Sequence, residues 1–133
     1  MRRRRPDGAM FRAPALALAD AQVSAGGTAY VYLFEWPSPM AGGTLGSCHA
    51  LELPFVFNTL DVIGPNTLVG QSPPSQIGTS MNATWASFAR SGAPTGPWGA
   101  WSAYDNERST MVINDSSELV RDPRSAERQL WST

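Results

Sequence analysis

The chain has 133 residues, 42% of them hydrophobic, and a formal net charge of −1, which bounds it to one globular domain or less and excludes a disordered or fibrous chain. A balance so near neutrality gives no broad attraction to nucleic acid, and no run approaches the roughly 18 apolar residues of a membrane span. With one cysteine, Cys48, and one histidine, His49, there can be no internal disulfide and no zinc site of three or four protein ligands.

The amino terminus opens on Met1-Arg2-Arg3-Arg4-Arg5, and Val23-Ser24-Ala25 would pass for the cleavage site of an export signal. The middle does not fit. Pro6, Asp7, Arg12 and Asp20 interrupt the apolar core of roughly 7 to 15 residues that such a signal needs. Residues 1–7 are therefore read as a basic extension, and a cytoplasmic location is expected for the chain as written, with secretion the alternative.

A helix is predicted from about Phe11 to Val23, rich in alanine and leucine and stopped by Gly26-Gly27. Ala29 to Glu35 is almost continuously apolar and aromatic, which predicts a strand covered on both faces, as in a parallel sheet with helices on each side. Pro37-Ser38-Pro39 ends it, and the glycine-rich stretch Ala41 to Ser47 leads to His49. Leu51 to Phe57 is expected to make a short turn and an apolar plug. Asn58 to Ser75 is rich in Pro, Gly, Asn and Ser without a sustained period, and reads as an irregular excursion over the surface.

A second helix is predicted from about Gln76 to Ser91, where Ile77, Met81, Trp85 and Phe88 form one apolar stripe, with Gly92-Ala93-Pro94 as its exit. After a loop from Trp98 to Asn106, Thr110 to Asn114 reads as a short strand. Asp122-Pro123 reads as a cap and first helical residue, opening a last helix to Trp131. Two strands among helices give an α/β class, although two strands alone make a marginal sheet. Trp98, Trp101 and Tyr104 are expected to pack into the core. Stacking on a ligand is the alternative, and no basic residues interleave with them to suggest nucleic acid.

The histidine sits in Gly46-Ser47-Cys48-His49-Ala50-Leu51-Glu52-Leu53-Pro54-Phe55-Val56-Phe57. This segment resembles the catalytic-histidine loop of the type B carboxylesterases, the esterase and lipase family that includes the cholinesterases. There G-x-x-H-G-x-E-L-P-[FY]-V-F delivers the base of a Ser, Asp/Glu, His triad. Ala50 is a departure, because the family usually has Gly at that place and a Cβ is added beside the histidine. Met10-Phe11-Arg12-Ala13-Pro14-Ala15 and the strand Ala29 to Glu35 resemble the helix and strand the family places before this loop. Trp85 to Pro94 is similar to its W-x-x-F-A-[RK]-x-G-x-P helix and exit turn. Trp101-Ser102-Ala103-Tyr104, Met111-Val112-Ile113 and Trp131 resemble further landmarks. The likeness runs over 8–133 and onto roughly the last quarter of a family member.

The resemblance implies the C-terminal part of an α/β-hydrolase fold, incomplete as a domain. It further implies His49 as catalytic base, Glu52 as a buried group behind the active site, and chemistry on carboxylic esters with no metal or organic cofactor. Read without the family, a lone histidine is a structural or surface residue and Glu52 a plain surface acid. The family's nucleophile elbow, G-x-S-x-G, and its H-G-G-G oxyanion loop have no counterpart here. Gly26-Gly27 and Gly42-Gly43 lack the neighbours, and the triad acid lies upstream of the histidine in these enzymes.

Ser47 is a poor nucleophile candidate, since side chains so close in a loop seldom meet in attack geometry and no strained elbow presents it. Cys48 is expected to be a small packed neighbour of the histidine rather than a reactive thiol. The chain is thus expected to be an ester hydrolase fragment that is inactive alone. An ester substrate would bind only in an intact enzyme, and a complementing N-terminal esterase chain is the partner that would restore it. The alternative is a non-enzymatic remnant or interaction module that binds a partner through exposed apolar surface. Every basic residue is arginine and alanine is plentiful, which fits a GC-rich coding sequence and hints at a bacterial source.

Overall fold

The computed structural model describes residues 8–131, so the basic stretch 1–7 lies outside the described residues. The expected first strand forms as β1, Val31–Phe34, shorter than the apolar run that announced it. It pairs in parallel with β2, Ser109–Ile113. A third strand, β3, Glu118–Arg121, pairs antiparallel with β2, so the sheet has the order β1-β2-β3. The expectation of two strands is corrected here. Leu119 and Val120 lie between the charged Glu118 and Arg121, and so short an apolar core leaves no period to read. The Ser117 hydroxyl donates to the Asn114 carbonyl and accepts from the Asn114 N–H, which closes the turn into β3.

The register assigns the two faces of the sheet. Tyr32 lies beside Met111 and Met111 beside Leu119, while Phe34 lies beside Ile113, so a strand's two-residue period puts all five on one face. Against that face pack the short helix α2, Leu53–Val56, and the long helix α3, Ser75–Ser91. Leu51, Phe55, Ile77, Met81, Met111 and Ile113 are the buried centre of this core. The opposite face, with Val31, is covered by α1, Ala13–Ser24, through Leu16, Ala19 and Val23. Helices therefore lie on both faces of β1, as its composition predicts. A π-helical turn, Gly8–Arg12, precedes α1.

Helix α3 ends at Gly92, whose φ of 75° provides the left-handed residue that closes a helix, with its N–H donating to the Phe88 carbonyl at 2.7 Å. Its buried face follows the predicted stripe through Ile77 and Met81 and then departs from it. Thr84 and Ser87 are buried, Trp85 is half-buried, and Phe88 is 47% exposed. Segment 58–74 holds no helix or strand, in keeping with the irregular reading. It is not confined to the surface, however: Val69 is buried in the main core, and the Leu68 carbonyl accepts a hydrogen bond from buried Ser38.

The last helix also differs from expectation. Asp122-Pro123 does not open it: α4 spans Ser125–Gln129, and Asp122 and Arg124 both have positive φ. The Asp122 side chain is instead engaged by Arg128 through two hydrogen bonds of 2.9 and 2.7 Å. Further arginines link the ends of the chain. Arg12 donates to the Pro123 carbonyl, Arg124 reaches Glu35 at 2.7 Å, and Arg108 holds Asp20 of α1 at 3.0 Å while donating to the Tyr104 hydroxyl. Tyr104 is buried, and Trp98 and Trp101 pack against the main core, which agrees with a packing role for these aromatics.

Candidate active site

In open α/β sheets, functional loops gather beyond the carboxyl ends of parallel strands, and the His49 loop leaves β1 at that end. Three contacts fix the path. The Ser38 N–H donates to the Gly46 carbonyl at 3.0 Å, closing the glycine-rich excursion. The Ser47 hydroxyl then donates to the Phe34 carbonyl at 2.6 Å, tying the loop back to the last residue of β1. Beyond the histidine, Leu51 is fully buried, and the Glu52 carbonyl accepts from the N–H groups of Phe55 and Val56 as α2 begins. His49 is therefore held two residues from an anchor on either side and is itself an exposed residue.

Ala50 has a φ of 65°. This left-handed turn carries the chain from an exposed histidine to a buried leucine within two residues, and glycine adopts it without cost. On the other side of the ring stands Phe11, stacked on the imidazole with centroids 4.0 Å apart and planes 6° from parallel. Sequence reasoning placed Phe11 in a helix and missed this contact. The two residues are far apart in the chain, and no local spacing signals a pairing between elements.

His49, Phe11, Ser47, Cys48 and Glu52 all border one cavity of about 310 Å³, which reaches along β1 to Arg12, Arg124 and Glu127. The charged far wall carried no signal in the sequence, because it is assembled from both ends of the chain. Glu52 is half-buried, and among the described residues no hydrogen bond joins its carboxylate to His49. Its charge is felt by Tyr32: burial, reinforced by Glu52, pushes the Tyr32 phenol above its ordinary value. Burial lowers the Arg12 guanidinium, opposed by the nearby Glu127. The Ser47 hydroxyl is spent on Phe34 rather than on the imidazole. Cys48 is a half-buried free thiol against the main core.

Among the described residues no group of three or more His, Cys, Asp or Glu side chains is placed to hold a metal ion, and no helix is long and apolar enough to cross a membrane. The arrangement thus offers one imidazole, covered on one face by Phe11, on an anchored loop. Such a group can take and return a proton for a nucleophile brought to its free edge.

The family model for the carboxylesterase family matches residues 7–131. The chain is 33% identical over 122 residues to the para-nitrobenzyl esterase of Bacillus subtilis, a match that covers 90% of this chain and 24% of that protein. To the cocaine esterase of Homo sapiens it is 30% identical over 129 residues, covering 92% of this chain and 22% of the relative. Among solved structures it is similar to a carboxylesterase of Geobacillus stearothermophilus, with a TM-score of 0.75 and 34% identity over 95% of this chain and 27% of that one. The chain thus spans about a quarter of the length of its relatives, and its architecture is a C-terminal part of the α/β-hydrolase fold those esterases adopt.

Proposed function

This chain belongs to the carboxylesterase family, and we propose that it supplies the general base, His49, of a carboxylic ester hydrolase whose other catalytic groups come from the rest of the domain. The observation that carries this reading is the placement of His49: exposed, beyond the carboxyl end of β1, and held by the Ser47 hydrogen bond on one side and by buried Leu51 on the other. In the proposed reaction a serine hydroxyl from the remaining part attacks the ester carbonyl carbon while His49 takes its proton. His49 then passes that proton to the leaving alcohol; water, deprotonated by the same imidazole, attacks the acyl carbon, and the imidazole returns this second proton to the serine oxygen as the carboxylic acid is released. No metal or organic cofactor enters these steps. Glu52 acts from behind the loop, its charge beside Tyr32 shaping the field around the site.

The relatives are named for para-nitrobenzyl and cocaine esterase activities, which supports carboxylic esters as the substrate class. By itself the chain is expected to leave chromogenic esters unhydrolysed and to escape labelling by a serine-directed fluorophosphonate. Paired with a polypeptide carrying the serine elbow and the acid, it should hydrolyse them. His49→Ala should then lower turnover by about 10⁶, the scale seen when a triad member is removed, and Glu52→Gln by roughly ten- to a hundredfold. Assays at equal concentrations of soluble complex decide the matter, and equal activity of the wild-type and His49→Ala pairs would sink the assignment. The interaction-module reading would then be favoured by Phe57, Val62 and Phe88, large apolar side chains left on the surface.

A further inference from the structure

The backbone on either side of His49 is anchored, but an anchored backbone does not by itself orient an imidazole. The torsion that turns a histidine ring about its Cβ–Cγ bond is broad and two-fold, whereas a catalytic group has to be held within roughly 10–20° of its productive orientation. Among the described residues the His49 ring makes no hydrogen bond or ion pair, and its aromatic contact is Phe11, with centroids 4.0 Å apart and planes 6° from parallel. Phe11 is 44% exposed and belongs to neither buried core. A large apolar ring so placed gains little from burial, and what it covers is the face of the imidazole.

The turn that carries Phe11 is itself tied down. Arg12, the next residue, donates to the Pro123 carbonyl, and Pro14 in the first turn of α1 fixes the backbone beyond it. At the other end of the turn, a Cβ on Gly8 would lie 3.0 Å from the Trp131 indole nitrogen and 3.2 Å from a Glu127 carboxylate oxygen, so the turn seats closely against α4 and Trp131. Contact on the face of an imidazole leaves the edge free. The edge carries both nitrogens, one a donor and the other an acceptor in the neutral ring, and both point outward in the ring plane. The stack therefore restrains the ring without obstructing proton transfer.

We propose that Phe11 is a positioning residue for His49: its ring fixes the plane of the imidazole, so that a nitrogen is presented edge-on to the serine hydroxyl. The proposal rests on the reading of His49 as the general base. A leucine at this position would fill similar space but define no plane, and the imidazole would then sample orientations in which proton transfer fails.

The test is nuclear magnetic resonance on the full chain carrying isotopically labelled histidine. His49 is the sole histidine, so its carbon-bound ring protons identify themselves. In a face-to-face stack these protons lie over the Phe11 ring and should resonate upfield of their positions in Phe11→Leu, while Phe11→Tyr, which keeps the ring, should keep the shift. Should Phe11→Leu unfold, the wild-type chain decides: cross-relaxation between the ring protons of the two residues should be present in native buffer and vanish in urea. In the pair with a polypeptide carrying the serine elbow and the acid, Phe11→Leu should lower kcat by roughly ten- to a hundredfold with KM unchanged, and Phe11→Tyr should recover most of that loss. Ring protons that do not move between wild type and Phe11→Leu, or native protein without the cross-relaxation, overturn the proposal. So does an undiminished kcat in Phe11→Leu where the His49→Ala pair is inactive. The catalytic reading fails separately: equal turnover of the wild-type and His49→Ala pairs, with the upfield shift present, removes the chemistry and leaves Phe11 holding the ring.

Discussion

Ala50 holds a φ of 65°, a region that costs a residue with a Cβ about 1 kcal/mol or more. Ala50→Gly should therefore raise the stability of the chain by about 0.5–1 kcal/mol, after allowing for the greater freedom of glycine in the unfolded state. The measurement is the shift of the apparent urea midpoint against wild type at matched protein concentration, and a fall in that midpoint would mean the methyl group packs better than its backbone suffers. Asp122 offers a second test on a single side chain. Hydrogen bonds from Arg128 hold its carboxyl below the ordinary value of 3.8, so the pair stabilises the fold above the unfolded-state pKa, and that contribution is lost as pH falls through the lower folded-state pKa. Asp122→Asn keeps a side chain that tolerates positive φ and removes the charge. It should cost about 1 kcal/mol at neutral pH, the upper range for a partly exposed pair, and the difference from wild type should shrink as pH drops below the usual carboxylate range. A difference that stays constant down to the acid limit would show that packing, not charge, is responsible.

Helix α2 shows how an element of a single turn is fixed by one side. Phe55 is 0% exposed and lies at 5.2 Å from both Phe34 and Trp36, whereas Phe57 is 67% exposed. Phe55→Ala should cost about 3–5 kcal/mol and Phe57→Ala within about 0.5 kcal/mol, read as urea midpoints of the two variants; equal losses would mean the apolar plug works as a unit. In the sequence these two phenylalanines look alike, because a turn of four residues has no period to sort them. Longer elements were legible for the opposite reason. The alanine-leucine run of α1, the uninterrupted apolar strand β1 and the apolar spacings of α3 each run long enough to identify the element. β3 was missed because two apolar residues between charges are no pattern. Phe88 was misassigned because its ring meets Tyr30, ahead of β1, at a half-open groove rather than the buried centre of the sheet. His49 was legible through its neighbours, whereas Phe11, Arg12 and Arg124 were not, since only tertiary packing brings them to the same cavity.

Across the whole molecule the sheet divides two unequal cores. On the α3 face eight buried side chains cluster around Phe55 and Met81, while on the α1 face Leu16, Ala19 and Tyr104 are the buried members among the described residues. The thinner side is assisted by polar links such as Arg108–Asp20 at 3.0 Å, and a partly exposed ion pair contributes little on its own. Leu18, Phe57, Val62 and Phe88 meanwhile remain on the surface, and among the described residues β1 carries an unpaired edge, the arrangement that favours association between chains. The chain by itself should consequently unfold over a broad range, bind a hydrophobic dye in its native buffer and sediment as a concentration-dependent mixture. Addition of an esterase polypeptide carrying the serine elbow and the acid should sharpen the transition and displace the dye together, because a partner that binds only the folded form adds its binding free energy to stability. A sharp, cooperative transition from a monodisperse monomer without dye binding would show that the two cores suffice, and that this quarter of the fold is stable without the remainder.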